Sequence, residues 1–214
     1  MSEAEEVCQA ATAATHTFYC ARHDAFHDRG YSVMYGPPRR AAPILFVGYQ
    51  PGGWQITDDH LQPEPKATPW PAILEYATDS YPLASRLQQV FGASLLQECC
   101  GLNAIFFRSP KIEIFQSEVP LPLRREVTNF SLPWVKRIAA ALAPNMIVAI
   151  GLGTLKLLGP SRVVEENAKR RVLVRAGEIA GCPALGTVHL SGARIAAEDR
   201  AQIVAHLRAA VGTA

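Results

Sequence analysis

The sequence predicts an α/β protein: a three-layer α/β/α arrangement around a central, mainly parallel sheet of four strands. Short apolar runs alternate with helical patterns along the chain, and each run stops at glycine, proline or polar residues. Unbroken apolar runs of this kind are typical of strands that are covered on both faces, as in a parallel sheet between helices. Both observations hold from about residue 43 to the C-terminus.

The elements follow from these patterns in order. The predicted strands are 44–47, 102–107, 146–150 and 184–188. The predicted helices are 3–28, 81–92, 131–142, 154–159 and 197–211, the third with Ser131 as its N-cap. Segments 55–71 and 111–128 are expected to be irregular, and 161–178 to hold short edge strands. The whole chain, 1–214, is interpreted as one domain with an N-terminal helical extension at about 1–40.

Composition limits the class of protein. With 214 residues, 49% hydrophobic and 19% charged, the chain is expected to be globular. It has no apolar run near 18 residues and no signal-like N-terminus, so we expect a cytoplasmic protein that does not contact a membrane. Five cysteines without a CxxC pair argue against a disulfide framework and against a simple zinc site.

Charge is distributed unevenly along the chain. Residues 1–100 carry six basic and 11 acidic side chains, a net charge of −5, whereas 101–214 carry 15 and eight, a net charge of +7. A basic half is compatible with a polyanionic partner such as nucleic acid. Scattered, solvated charges explain the same numbers equally well, so the charge alone assigns no partner.

The loop after the first predicted strand is a candidate for chemistry. The run 44–47 ends at Gly48, and Pro51, Gly52 and Gly53 follow. Glycines let the backbone approach a ligand closely, and free amides in such a turn can bind an anion or a polarised water. In open parallel sheets, ligands bind beyond the carboxyl ends of the strands, where this loop is expected. An ordinary strand-to-helix turn is the alternative.

Several common active-site motifs are missing. Gly151-Leu152-Gly153 is only half of a dinucleotide fingerprint, because Lys156 replaces the third glycine and no acidic residue stands about 20 positions further on. The sequence contains neither a GxxxxGK[ST] phosphate loop nor a GxSxG nucleophile elbow. Ser191 and His189 are too close in sequence for an ordinary nucleophile–base pair. These observations disfavour nucleotide-binding and serine-hydrolase sites.

Three polar segments do share one expected sheet edge. They are Gly48-Tyr49-Gln50-Pro51-Gly52, Gly101-Leu102-Asn103-Ala104 and Val188-His189-Leu190-Ser191. In this order they resemble the motifs of the uracil-DNA glycosylase superfamily: a G-x-x-P-G loop, an apolar strand with an asparagine, and a strand that ends in histidine. The resemblance covers roughly residues 43–211.

The resemblance implies a monofunctional DNA repair enzyme that flips a damaged base, usually uracil, out of the helix and hydrolyses its bond to deoxyribose. It implies catalytic roles for Gln50, which would position the attacking water, and for His189, which would stabilise the leaving base. Asn103 would recognise the base edge, and Trp54 or Trp70 would stack on it. The other substrate-binding residues would be Gly48, Tyr49, Pro51 and Gly52, and the DNA-binding residues Ser191, Gly192 and Arg194. The implied enzyme is a monomer that needs no metal or cofactor and releases a free base.

The chain also departs from the family pattern. Gln50 stands where the best-known branches have Asp or Asn, so an ionised carboxylate is not available there. Leu190 replaces the usual proline, and Gly192 weakens the segment expected to intercalate. Segment 106–108 lacks the cysteine of the iron–sulfur branches, so no cluster is expected.

Other interpretations remain open at this point. A non-catalytic protein that binds DNA or a nucleobase on the same fold is one, and a hydrolase that acts on another nucleoside or a small anion is the other. Asn103 could simply tie down a loop, His189 could be structural, and Trp54 and Trp70 could be packing residues.

Overall fold

A six-stranded mixed sheet organises the protein in the computed structural model, which describes residues 1–26, 29–52, 69–191 and 195–212. The strands are β1 (Leu45–Gly48), β2 (Cys100–Asn103), β3 (Ile147–Ile150), β4 (Ser161–Glu166), β5 (Val172–Ile179) and β6 (Cys182–Thr187). Their order across the sheet is β2-β1-β3-β6-β5-β4. The first four strands in this order run parallel, and β5 and β4 continue the sheet in antiparallel fashion.

The predicted α/β class with a mainly parallel sheet is confirmed, but the predicted count of four strands is wrong. The four predicted strands are the parallel ones, and 161–178 supplies two more. Of these two, β4 lies at the edge of the sheet, as predicted, whereas β5 lies between β4 and β6. Neither β4 nor β5 is an unbroken apolar run, because both contain charged residues, and no residue of β4 is fully buried. These charged residues explain why the two strands gave a weaker signal in the sequence.

Eight α-helices and one 3-10 helix lie within the described residues. They are α1 (Glu3–Cys20), the 3-10 helix (His23–Phe26), α2 (Glu75–Thr78), α3 (Pro82–Phe91), α4 (Ala93–Gln97), α5 (Ile112–Glu118), α6 (Leu121–Leu142), α7 (Leu152–Leu158) and α8 (Ala197–Ala210). The helices predicted at 81–92 and 197–211 are confirmed within a residue at each end. In the part of the chain that the structure describes, no helix has the length and apolarity needed to cross a membrane.

Three sequence-based boundaries are wrong. The first helix ends at Cys20 rather than near 28, with Ala21 as its C-cap. Segment 111–128, predicted to be irregular, is helical as α5 and the start of α6. Pro120 is the N-cap of α6 and Pro122 lies in its first turn, where proline is favoured, because its missing N–H has no helical acceptor at that position. Ser131 is consequently a fully buried residue inside α6 and not an N-cap.

Apolar clusters cover both faces of the sheet. Leu45 and Val47 pack in one cluster with residues of α1, α6 and α7, while Ile44 and Phe46 pack in the other with residues of α3 and α8. Successive side chains of a strand point to opposite faces. An unbroken apolar run is therefore what a strand with helices on both sides requires, which explains the signal at 44–47.

The chain leaves the second strand earlier than predicted. Strand β2 ends at Asn103, whereas the apolar run continues to Phe107. Ile105, Phe106 and Phe107 are nearly inaccessible, although they lie outside the strand. The run is apolar because it enters the core, and its periodicity cannot distinguish this path from a strand.

The segment that follows α1 runs along the outer side of β2. Ser32 N donates to Phe106 O over 2.8 Å, Asn103 N to Val33 O over 3.0 Å, and Tyr35 N to Gly101 O over 3.0 Å. Isolated antiparallel bridges join Tyr31 to Phe107 and Met34 to Leu102. The N-terminal part of the chain is thus hydrogen-bonded to the strand that carries Asn103.

Candidate functional site

Three candidate residues lie at the carboxyl edge of the parallel strands. Gly48, the last residue of β1, is in register with Asn103, the last residue of β2. Through β3, the register also aligns the end of β1 with Thr187, the last residue of β6. Gln50 and His189 therefore each stand two residues beyond the same level of the sheet. We call Gln50, Asn103 and His189 the carboxyl-edge site.

The site extends over four neighbouring strands, of which β2, β1 and β6 lead to its residues. Strand β3 lies between β1 and β6, so two strand spacings, roughly 10 Å, separate the backbones that carry Gln50 and His189. This position, beyond the carboxyl ends of parallel strands, is where open α/β sheets bind ligands.

The backbone of the β1 loop is held by the segment after β2. Ala104 N donates to Gly48 O and Ile105 N to Tyr49 O, both over 2.8 Å. Further along, Ser109 N donates to Pro51 O over 3.1 Å. These bonds occupy carbonyl oxygens of the loop. Pro51 is buried, so the loop is anchored on the protein rather than projecting freely.

Arg108 also holds the loop, and the sequence analysis did not identify it. Its Nη1 donates to Gly52 O over 2.8 Å. Burial lowers the pKa of Arg108, and the nearby carboxylate of Glu75 opposes this effect. The guanidinium is part of the loop's support. In the sequence, only the position of Arg108 directly after the second apolar run pointed to a role near the site.

Gln50 is oriented by one hydrogen bond. Its Nε2 donates to Ser109 O over 3.2 Å. Its Oε1 is buried and has no hydrogen-bond partner among the described residues. An amide oxygen can accept two hydrogen bonds, and leaving a buried acceptor unpaired costs roughly 1–3 kcal/mol. The orientation of Gln50 therefore presents an unused acceptor at the carboxyl edge, suited to orienting a water molecule.

Asn103 is 4% exposed and has a structural contact. Its Nδ2 donates to Ser32 O over 3.1 Å, which matches the loop-tying role that the sequence left open. The amide retains a second N–H and its carbonyl oxygen for a ligand. A Cβ on Gly48 would stand only 3.1 Å from Asn103 Oδ1, so glycine at the end of β1 gives this side chain its space.

His189 is held in one tautomer by the residue two positions on. Ser191 N lies 3.4 Å and Ser191 Oγ 3.1 Å from His189 Nδ1. A backbone N–H can only donate, so Nδ1 acts as the acceptor and we assign the proton of the neutral imidazole to Nε2. His189 is exposed as a residue, but partial desolvation of its ring lowers its pKa from the ordinary value. At neutral pH the ring is thus an uncharged N–H donor.

We expect His189 to titrate below 6.5, its ordinary pKa. Protonation is then less favourable in the folded protein than in the unfolded chain, so His189 lowers the stability of the fold progressively as the pH falls below 6.5. Nitrogen NMR of the histidine side chains measures both quantities, with Nδ1 expected to be unprotonated at pH 7.5. Ser191→Ala retains the backbone N–H and should leave this tautomer unchanged. A midpoint above 6.5, or a protonated Nδ1, would contradict the assignment.

The other predicted site residues are distributed differently. Tyr49 is half-buried and lines a cleft of about 350 Å³ beside α6, together with Arg124 and Arg125. Trp70 is partly buried and packs against the core cluster on the α1 and α6 face. Ser191 is exposed. Trp54, Gly192 and Arg194 lie outside the described residues, as does Gly53.

The cysteines of the site region are buried thiols. Cys99 and Cys100 follow α4, and burial raises the pKa of Cys99 to about 12 and that of Cys100 to about 11. None of the five cysteines, all of which lie in the part of the chain that the structure describes, forms a disulfide. Within the residues that the structure describes, no group of three His, Cys, Asp or Glu side chains is arranged to hold a metal ion.

Comparison of the chain with models of known protein families and with curated proteins finds no match. The relationship to the uracil-DNA glycosylase superfamily therefore stays a prediction that depends on three short motifs. The function of the protein therefore has to be inferred from the chemistry of the carboxyl-edge site.

Proposed function

We propose that this protein is a DNA repair glycosylase that hydrolyses the N-glycosidic bond of uracil or a related deaminated base, on a three-layer α/β/α arrangement. The observation that carries this proposal is the position of Gln50, Asn103 and His189 at one edge of the parallel strands. An acceptor for water, an amide for a base edge and a neutral N–H donor are the groups that such a reaction requires. The substrate would be DNA with a damaged base, and the product a free base.

Base removal begins with extrusion of the target nucleotide from the stack, which costs a few kcal/mol. The bond from C1′ to the base then breaks, and its electrons leave with the base. The sugar develops positive charge at C1′, which a water molecule attacks; the proton that this water loses passes to solvent, and the departing base anion takes up a proton from solvent. Gln50 Oε1, the unpaired buried acceptor, would orient that water by accepting one of its hydrogens.

The departing base develops negative charge on its carbonyl oxygen, and His189 would stabilise it. A neutral imidazole with its proton on Nε2 donates to that oxygen without giving up the proton. Because Ser191 already fixes Nδ1 as an acceptor, the ring needs no reorganisation during the reaction. A preorganised donor of this type typically contributes about 10²- to 10³-fold in rate.

Asn103 would recognise the base edge with the donor and acceptor that remain after its bond to Ser32. Uracil offers a carbonyl oxygen and an N–H on one edge, which complements a single carboxamide. The hydrogen bond to Ser32 O fixes the plane of the Asn103 amide. The amide would thereby be held in the orientation in which it recognises the base.

A second candidate function is binding of DNA or a nucleobase without cleavage. Gln50 favours it, because an amide cannot act as the ionised carboxylate does, and its Nε2 is already bonded to Ser109 O. Under this alternative the carboxyl-edge site would still hold an extruded base, but no water would attack C1′.

Base release from labelled oligonucleotides tests the proposal. Oligonucleotides with uracil, hypoxanthine or xanthine, single-stranded or opposite each normal base, are incubated with the protein and treated with alkali. We expect strand cleavage at one of these lesions under single-turnover conditions, and none at an undamaged control. Binding of the same DNA without release from any lesion would reject the glycosylase and support the binding protein.

A further inference from the structure

A basic groove follows α6 away from the carboxyl-edge site. The cleft beside Tyr49 is continued by a second cleft of about 490 Å³, and both are lined by Thr128 and Asn129. Arg124 and Arg125 line the first cleft, and Lys136 lines the second. We call these two adjoining clefts the α6 groove. It begins at Tyr49, the residue directly before Gln50.

The charge of the α6 groove has one sign. Its lining includes two arginines and one lysine, and none of the described lining residues is acidic. Two carboxylates close in sequence to the lining, Glu118 and Glu126, form ion pairs with Arg29 and Arg22 of the N-terminal segment. Their negative charge is thus paired with cations that do not line the groove.

Arg124 is the most enclosed of the three cations. It is half-buried, and its Nε is buried without a hydrogen-bond partner among the described residues. Burial raises the pKa of Tyr49, and the positive charge of nearby Arg124 opposes that rise. A guanidinium and a phenol therefore lie together at the end of the groove nearest to the Gln50 loop. Guanidinium groups bind phosphate oxygens in paired hydrogen bonds, which suits this position to a phosphate.

The length of the α6 groove suits a nucleic acid strand. Arg124 and Lys136 are 12 residues apart on one helix, which corresponds to about 18 Å along its axis. One strand of B-form DNA carries a phosphate for roughly every 3.4 Å, so the groove spans about five nucleotides. A small anion would occupy only one end of such a surface.

We propose that the α6 groove binds the sugar-phosphate backbone of the DNA strand that carries the target base. Arg124 and Arg125 contact the phosphates closest to the extruded nucleotide, and Lys136 contacts the strand further along. This inference rests on the proposed function and extends it, because it assigns the path by which the strand approaches the carboxyl-edge site.

The salt dependence of DNA binding tests the groove. Each phosphate contact contributes about 0.7–0.9 to the slope of log K against log salt, so between 50 and 200 mM salt it changes the Kd about threefold. We expect the double variant Arg124→Ala/Arg125→Ala to reduce the ratio of Kd at 200 mM to Kd at 50 mM by about tenfold, for fluorescein-labelled undamaged single-stranded and duplex DNA. Thermal unfolding of the same sample shows that the variant is folded.

The matched control is Arg40→Ala/Arg162→Ala, which removes the same charge from exposed positions. Arg40 precedes β1 at the opposite edge of the sheet, and Arg162 lies on the edge strand β4. The control should retain the wild-type ratio. An equal ratio in all three proteins, an equal drop in both double variants, or no DNA binding by the wild type at 50 mM salt would overturn the inference.

Failure of the groove and failure of the glycosylase give different results. If the wild type releases a base but the Arg124→Ala/Arg125→Ala variant keeps the wild-type ratio of Kd at 200 mM to Kd at 50 mM salt, DNA binding by the α6 groove is rejected and the glycosylase proposal stands. If the variant has a reduced ratio but the wild type releases no base from any lesion, DNA binding by the α6 groove is supported and the glycosylase proposal is rejected.

Discussion

Replacing His189 by alanine is expected to lower the single-turnover rate of base release by about 10²- to 10³-fold. The change removes the N–H donor that would stabilise negative charge on the leaving base, and this charge is fully developed only as the bond breaks. DNA binding should therefore change much less than the rate. The comparison of rate and Kd on one lesion-containing oligonucleotide separates these two effects.

His206→Ala is the matched control for this prediction. His206 lies on α8 and bonds to Glu165 of β4 over 2.9 Å, away from the carboxyl edge. Its replacement should leave the rate unchanged, apart from any loss of stability seen by thermal unfolding. His189 is exposed, so its own replacement should not affect folding. A rate within about twofold of the wild type for His189→Ala would exclude the assigned role.

Gly101→Ala is expected to destabilise the fold by about 3 kcal/mol, at the upper end of the usual cost of overpacking a core. A Cβ at this position would stand 2.3 Å from Tyr35 Cε2 and 2.6 Å from Leu74 Cδ1. Both neighbours are buried, and the Tyr35 hydroxyl donates to Phe46 O over 3.0 Å. The ring cannot move aside without loss of that bond. Urea denaturation monitored by circular dichroism measures the change.

Gly153→Ala provides the comparison. Gly153 lies in α7, and a Cβ there would have no atom within 4 Å. Alanine is favoured over glycine in a helix by roughly 0.8–1 kcal/mol, so this variant should be slightly more stable than the wild type. Equal stability of Gly101→Ala and the wild type would show that Tyr35 does not pack against β2 as described.

The parallel part of the fold could be predicted because burial on both faces leaves a distinct pattern. The runs at 44–47 and 146–150 are apolar at every position, and both lie inside the sheet. Strand β5 escaped a firm prediction, since Arg175 and Glu178 interrupt its apolar residues. Helix α6 was predicted to begin at Ser131, whereas it begins at Leu121 and continues through Pro133.

The position of the candidate site was predictable, but its internal contacts were not. Gln50, Asn103 and His189 follow predicted strands, and parallel strands bring their carboxyl ends to one edge. The contacts that orient two of these side chains are with backbone oxygens distant in sequence: Ser109 for Gln50 and Ser32 for Asn103. Such contacts depend on the path of the loops, which leaves no pattern in the residue types. By contrast, Ser191 lies close enough in sequence to His189 for the pair to be noticed beforehand.

The two outer strands of the sheet also bear on self-association. A bare strand edge offers unpaired amides and carbonyls on which another chain can add a strand. At β2 the segment around Met34 takes up this edge with its own backbone. At β4 the register with β5 shifts twice near Glu165, and charged residues such as Arg162 and Glu166 stand exposed. One edge of the sheet is covered by another segment of the chain, and the other edge has an irregular register and exposed charged side chains. Both features discourage another chain from extending the sheet into an aggregate.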